Sequence, residues 1–264
     1  PTYDSLTEEQ KWTSFTYRLE SSNVDSISKQ LASAIRLMPF VLVINGRIKE
    51  IEVKNLYAKC HFRIIKKDSA SKQRIEGDTE WYKIVDEVEI TNMLTGKSMS
   101  VAVTSLQLFN ENGKVNDVVI LPPFPESCGS VDTIPSLFLW FPLLGTESFG
   151  VNFIFHSKRW YPVEKRNNIM LPENVPSKCE KGAHNEEILH EMMATLHRYY
   201  AYEGNAYSLN RDMCIVNFHS DKEDEVTTKF YTDLQDMWKV VVPSWKVIPT
   251  EEGKKAMADA RVRV

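Results

Sequence analysis

FLWFPLLGTESFGVNFIFHSKRWYPVEKRNNIML, residues 138–171, is the stretch on which the fold reading turns. An apolar run meets a turn broken by Gly145, a second apolar run follows, and the second run ends in cations. Two apolar runs this short, bounded by Gly and Pro, read as buried strands rather than as a helix. Lys158, Arg159, Lys165 and Arg166 then fall within nine residues, interleaved with Trp160 and Tyr161. Pro162 stiffens this turn and biases Tyr161 to an extended backbone. The two aromatic rings offer flat surfaces on which a guanidinium stacks, and the rigid donor fork of arginine suits phosphate oxygens. A strand delivering arginines to its own end is a way to build an anion sensor, although charge runs commonly face water for no further reason.

Working outward, the segment before this stretch is rich in strand patterns. Residues 22–38, SNVDSISKQLASAIRLM, read as a helix with Ile27, Leu31, Ala34, Ile35 and Met38 at helical spacing, and Pro39 is expected to end it. FVLVINGRIKEIEV (40–53) reads as a hairpin turning at Asn45-Gly46. KCHFRIIKK, WYKIVDEVEI, SMSVAVTSLQLF and VNDVVIL are further strands, with Gly96 and Gly113 marking turns between them. On the C-terminal side, residues 184–200 form an amphipathic helix with Ile188, Leu189, Met192, Met193 and Leu196 on one side. Residues 227–240 form another, with Phe230, Leu234, Met237 and Trp238 as its apolar face. Strands first and helices later predict an α+β fold with a mostly antiparallel or mixed sheet of six to eight strands. The expected organisation is a sheet-rich domain over 1–171 and a mainly helical region over 172–264.

The composition of the 264 residues is that of an ordinary globular chain, 42% hydrophobic and 26% charged, with a net charge of -4. That charge offers no global attraction to nucleic acid. No uninterrupted apolar run approaches the ~20 residues that span a bilayer, and the N-terminus lacks the basic and apolar regions of a signal peptide. Cys60, Cys128, Cys179 and Cys214 are widely spaced and include no C-x-x-C pair, which argues against a zinc ribbon, a redox motif or a disulfide framework. A cytoplasmic setting, with no membrane and no nucleic acid as partner, is the expectation.

Several chemistry-bearing patterns lack the context they need. Thr95-Gly96-Lys97-Ser98 matches the tail of a phosphate-binding P-loop, but the first glycine of that motif is replaced by Thr91 and a strand follows instead of a helix. Glu187 and His190 are spaced as half of a di-iron site with no second half, and His190 and His197, one heptad apart, have no third ligand. No metal site is therefore assigned. His156 ends an apolar strand and fits either a structural or a site role. Cys128, in a loop, lacks a nearby histidine in sequence, although such a partner need only be close in space.

The motif FPLLGTESFGVNFIFHS followed by RWYPVEKRNNIML resembles a pattern in sacsin-like ATPases, members of the superfamily of gyrase, heat-shock chaperones, histidine kinases and MutL. LMPFVLVINGRIKEIEV is similar to the region just after the nucleotide domain in large bacterial members, and the resemblance covers roughly residues 12–175. It implies a middle, or transducer, domain of ribosomal-protein-like α+β fold that sends a cation to the γ-phosphate. Arg166 best matches that cation, Lys165 and Arg159 are further phosphate-binding candidates, and His156 and Asn152 are neighbours of the site. The family binds nucleotide through a helical E-x-x-x-N and a D-x-G-x-G segment. None of the ten glycines has an aspartate two positions before it, and Glu164 to Asn168 fits E-x-x-x-N only in a loop. The resemblance thus implies no cofactor bound by this chain alone, with ATP and Mg held by a nucleotide-binding domain elsewhere in a longer chain that also handles protein clients.

Two other readings stand beside it. One is a stand-alone protein-interaction module presenting Trp160, Tyr161, Tyr199, Tyr200 and Tyr202, although each of these singly reads more readily as a packing residue. The other is a small hydrolase using His156 or Cys128.

Overall fold

A computed structural model describes residues 24–55, 59–68, 71–75, 80–128, 134–147, 152–172, 176–202, 225–246, 248–256 and 259. Among them a first helix, α1 (Val24–Ile44), precedes a run of strands: β1 (Glu50–Asn55), β2 (Cys60–Lys66), β3 (Ser71–Arg74), β4 (Trp81–Asn92), β5 (Lys97–Phe109) and β6 (Val115–Ile120). Then come β7 (Leu137–Leu139), β8 (Phe141–Pro142) and β9 (Ile154–Ser157), and after them the helices α2 (Pro176–Tyr202) and α3 (Glu225–Val241). A small hairpin, β10 (Ile248–Thr250) with β11 (Gly253–Lys255), ends the described chain. The class is α+β, and the main sheet is mixed but mostly antiparallel.

That sheet has nine strands in the order β1-β2-β4-β5-β6-β9-β7-β8, with β3 pairing one half of β4 while β2 pairs the other. Among the described residues its one parallel pair is β7 with β9. Alternation along the strands gives each face its own core. Val88, Ile90, Val101, Val103, Val118, Ile120, Phe138 and Ile154 point to the α1 side. Leu106, Val119, Leu121, Leu137 and Phe155 point to the other side, where Ile188, Leu189, Met192, Met193 and Leu196 of α2 and Phe230, Leu234 and Trp238 of α3 meet them. The helices after residue 172 therefore share a core with the sheet. Phe153 sits edge-on to Trp238 and Trp245 at 5.7 and 6.1 Å, and Tyr200 stacks on Trp245 at 4.5 Å.

The turns at Gly96 and Gly113 are hairpin turns, and both glycines take the positive φ that such turns need. Two expectations need correction. Pro39 does not end the first helix, and FVLVI is its last turn and a half rather than a strand. A proline inside a helix costs about 3 kcal/mol. Phe40, Val41, Leu42, Val43 and Ile44 are all at most 1% exposed, and burying five such side chains contributes on the order of 10 kcal/mol. Packing wins. Asn45 and Gly46 then close the helix, with Asn45 N donating to Val41 O at 2.8 Å and neither residue at positive φ. Because α1 continues through Pro39, the segment Asp25–Ile44 is long and apolar enough to cross a membrane by length and composition, which the broken sequence pattern hid. Its C-terminal end is packed in the core. Ser22 and Asn23, at the expected start of that helix, and Cys214 lie outside the described residues.

Candidate functional site

The cation cluster divides in two. After β9 the chain forms a small hairpin over residues 161–170, closed by a bridge between Pro162 and Ile169 and by Met170 N donating to Tyr161 O at 2.9 Å. Lys165 and Arg166 are exposed on it, and Lys158 is exposed just before it. Arg166 occupies the tip at φ 52°, its amide donating to Val163 O at 2.9 Å, and has no ion-pair partner among the described residues. A non-glycine residue in this left-handed region is held there only when its surroundings over-determine it.

Those surroundings are three anchors. Asn185 of α2 is fully buried and accepts from Tyr161 N at 2.9 Å while its amide donates to Tyr161 O and Met170 O, both at 2.8 Å. Gly182, one turn earlier on α2, lets the backbone of Leu171 and Pro172 lie where a side chain would be, 2.2 and 2.3 Å from an ideal Cβ position. Gly145, at φ 116°, lies against Asn167 O in the same way at 3.1 Å. The Tyr161 ring meets His184 edge-on at 5.4 Å and carries Lys181 Nζ 5.5 Å above it. The hairpin is thus stapled to α2 and to the β8 turn, and its cations are displayed from a fixed backbone.

Arg159 turns the other way. Its Nη2 donates to Oδ2 of Asp117 at 2.6 Å and to Oε2 of Glu191 at 2.8 Å, and its backbone N donates to Ser157 Oγ at 3.0 Å. Burial works against the guanidinium charge, but the hydrogen bonds to these two carboxylates outweigh it and hold its pKa above the ordinary value. Asp117 is fully buried on β6. The β5–β6 register jumps from Leu108↔Asp117 to Phe109↔Val115, which leaves Asn116 as an extra, bulged residue. A bulge re-aims side chains. Here it brings Asn116 beside Asp117 on the side that meets α2.

A cleft of about 440 Å³ opens at that place. Asn116 and Arg159 line it from the sheet with Trp81 and Leu108, a cross-strand pair on β4 and β5. Glu191, Ala194, Thr195 and Arg198 line it from α2, spaced as one face of a helix, and Glu80 stands at its rim. Arg198 Nη2 donates to Thr195 Oγ1 at 3.0 Å.

The structure does not bring the remaining expected residues into either place. His156 faces the α1 side, fully buried, with Nδ1 3.0 Å from Phe138 O and its ring 4.9 Å from that of Trp140. Burial pulls its pKa down to about 4, against the pull of the Phe138 carbonyl, so the imidazole is neutral near pH 7. Asn152 is half-buried just before the core residue Phe153. Cys128 is 2% exposed and burial pushes its thiol up to about 11, the reverse of what activates a nucleophile. Glu187 and His190 are exposed on α2, and His197 is half-buried 3.5 Å from Ser244 Oγ. Glu164 to Asn168 forms the hairpin turn, not a helix. Trp160, Tyr199 and Tyr200 are buried and do not supply an exposed aromatic surface, whereas Tyr161 is 43% exposed and the side chain of Tyr202 lies outside the described residues. Sequence reading missed Asp117, Asn116, Asn185 and Glu191. The Asp in VNDVVIL, a lone acid in an apolar strand, was the one visible signal among them.

No protein-family model, no curated protein and no solved structure matches the chain.

Proposed function

We propose that this chain is the middle, transducing region of a larger chaperone-like, ATP-dependent cytoplasmic protein, in which Arg166 contacts the phosphate of an ATP held with its Mg by a separate nucleotide-binding domain. One observation carries the reading: the hairpin over 161–170 is anchored at Asn185, Gly182 and Gly145 yet leaves Arg166 exposed at its tip. A cation meant for a phosphate on another domain must be accessible, unneutralised and preorganised, because only then does it stabilise charge in the transition state without reorganising. Arg166 meets these requirements, with Lys165 beside it. Arg159 does not, since Asp117 and Glu191 already hold it, and its role is to fix the base of the hairpin. The resemblance of residues 138–171 to the sacsin-like pattern supplies the identity of the anion. Turnover by the protein joining this region to its nucleotide-binding domain tests the reading: Arg166→Ala should lower it strongly, and undiminished turnover would overturn it.

One observation favours a second reading, a protein-interaction module. Phe141, Leu144 and Tyr161 are 53%, 61% and 43% exposed around the two turns that Gly145 and Asn167 bring together. Large exposed apolar side chains near fixed cations suit a partner surface. Binding of a protein partner that survives Arg166→Ala but fails in Leu144→Asp would favour it.

A further inference from the structure

Away from the cationic hairpin, three large apolar side chains are exposed close together: Met93, Leu94 and Met99, at 44%, 58% and 46%, on and beside the turn between β4 and β5. The reading of Arg166 makes no use of them. That turn closes on itself. Asn92 O accepts from Thr95 N at 3.3 Å and from Gly96 N at 2.8 Å, and Asn92 Oδ1 accepts from Leu94 N at 3.0 Å. Met93 N donates to His61 O at 2.8 Å, and Lys97 N to Thr95 Oγ1 at 3.4 Å. Every backbone N–H from Met93 to Lys97 thus has an acceptor inside the protein, and the tip can leave water without orphaning these donors.

The end of β1 and the start of β2 lie at the same end of the sheet, because Lys54 pairs with His61 and His61 O receives Met93 N. Lys54, Lys59 and Lys97 are exposed there and have no ion-pair partner among the described residues. Lys54 shares a row with His61, and Lys97 the adjacent row with Asn92, Phe62 and Val53, so these two lysines lie on opposite faces. Residues 53–62 and 90–99 contain no acid. The acids next along, Glu52 and Glu89, pair with His61 and Lys67, each at 2.6 Å. This end of the sheet is therefore an apolar tip with free cations on both faces.

We propose that this end of the sheet docks peripherally on an anionic lipid bilayer, with Met93 and Leu94 entering the interfacial layer and Lys54, Lys59 and Lys97 against the headgroups. Three side chains at a turn cover far less than the roughly 800 Å² per partner of a standard protein interface. A bilayer asks for no such area, since apolar burial and the attraction of lysines to anionic headgroups add. A nucleic acid would engage the lysines and leave the apolar tip in water. Peripheral contact needs no spanning segment, so the lack of an uninterrupted apolar run of that length does not bear on it.

Co-sedimentation of this chain with vesicles of phosphatidylcholine alone, and of phosphatidylcholine mixed with phosphatidylserine, tests the proposal. The expected result is saturable binding to the mixed vesicles, about tenfold or more weaker without phosphatidylserine and weaker at high salt. Lys59→Gln and Lys97→Gln should each weaken it about fivefold. The double variant Met93→Ser, Leu94→Ser, verified as folded by circular dichroism, should weaken it by about tenfold or more. In Leu94→Trp the added indole should be quenched by brominated lipid more than the parent's tryptophans are, which reports entry of the tip. Lys165→Ala, on the hairpin, should leave binding unchanged, so failure here is distinguishable from failure of the phosphate reading. No binding to the mixed vesicles, undiminished binding by the double variant, or equal loss in Lys165→Ala would overturn the proposal. A protein partner lost in the same double variant, with vesicles unbound, would assign the tip to protein contact and overturn it equally.

Discussion

At Gly182 there is no room for even one methyl group, because the carbonyl carbon and oxygen of Leu171 lie 2.2 Å from where it would stand. Those atoms are backbone and cannot rotate aside. Gly182→Ala should therefore force α2 and the base of the hairpin apart at a cost of about 2–3 kcal/mol, read as a lowered denaturation midpoint. His156 supplies a second test at this scale. Its folded pKa, about 4, lies below the ordinary histidine value of ~6.5. The unfolded chain then binds more protons between these two values, so stability is full above pH ~6.5 and is lost as pH falls toward 4. The size of the shift corresponds to about 3 kcal/mol. Urea denaturation across that window should show this loss in the parent, and His156→Phe should lack that component of the slope.

Among the elements, the join between hairpin and α2 rests on Asn185, whose amide makes three hydrogen bonds to the backbone of Tyr161 and Met170. Asn185→Ala removes the partner of the Tyr161 amide and of the Met170 carbonyl, while Tyr161 O keeps the bond from Met170 N. The expected destabilisation is about 3 kcal/mol, with faster hydrogen exchange at the Tyr161 amide than elsewhere in the core. An unchanged exchange rate there would show the hairpin to be held by something else. This element also shows what the sequence made legible. The strands β4, β5 and β6 and the apolar faces of α2 and α3 were readable because period-2 and period-3.6 patterns reflect burial on one side. α1 was not, because Phe40 to Ile44 are buried all round and carry no period, and Pro39 spoke locally against the helix that packing imposes. The cation cluster was legible as a cluster, but not its division. Which way Arg159 turns depends on Asp117, forty-two positions earlier, and on a bulge that leaves no mark in sequence.

For the whole molecule, one sheet carries a core on each face, and the cationic hairpin extends from the strand that connects them. β9 places Ile154 in the α1 core and Phe155 in the α2–α3 core, then runs directly into Lys158 and the hairpin. A push on the hairpin is thus a push on both cores, which is what transmission from a bound phosphate to the rest of a protein requires. The decisive measurement for the proposed transducer role is steady-state ATP turnover by a longer protein joining this region to the proposed nucleotide-binding domain, parent against Arg166→Ala. If Arg166 meets the phosphate, kcat should fall by about 10³-fold or more, while KM for ATP stays within a few-fold because the groups that bind the nucleotide lie elsewhere. Turnover of the variant within twofold of the parent would contradict the assignment.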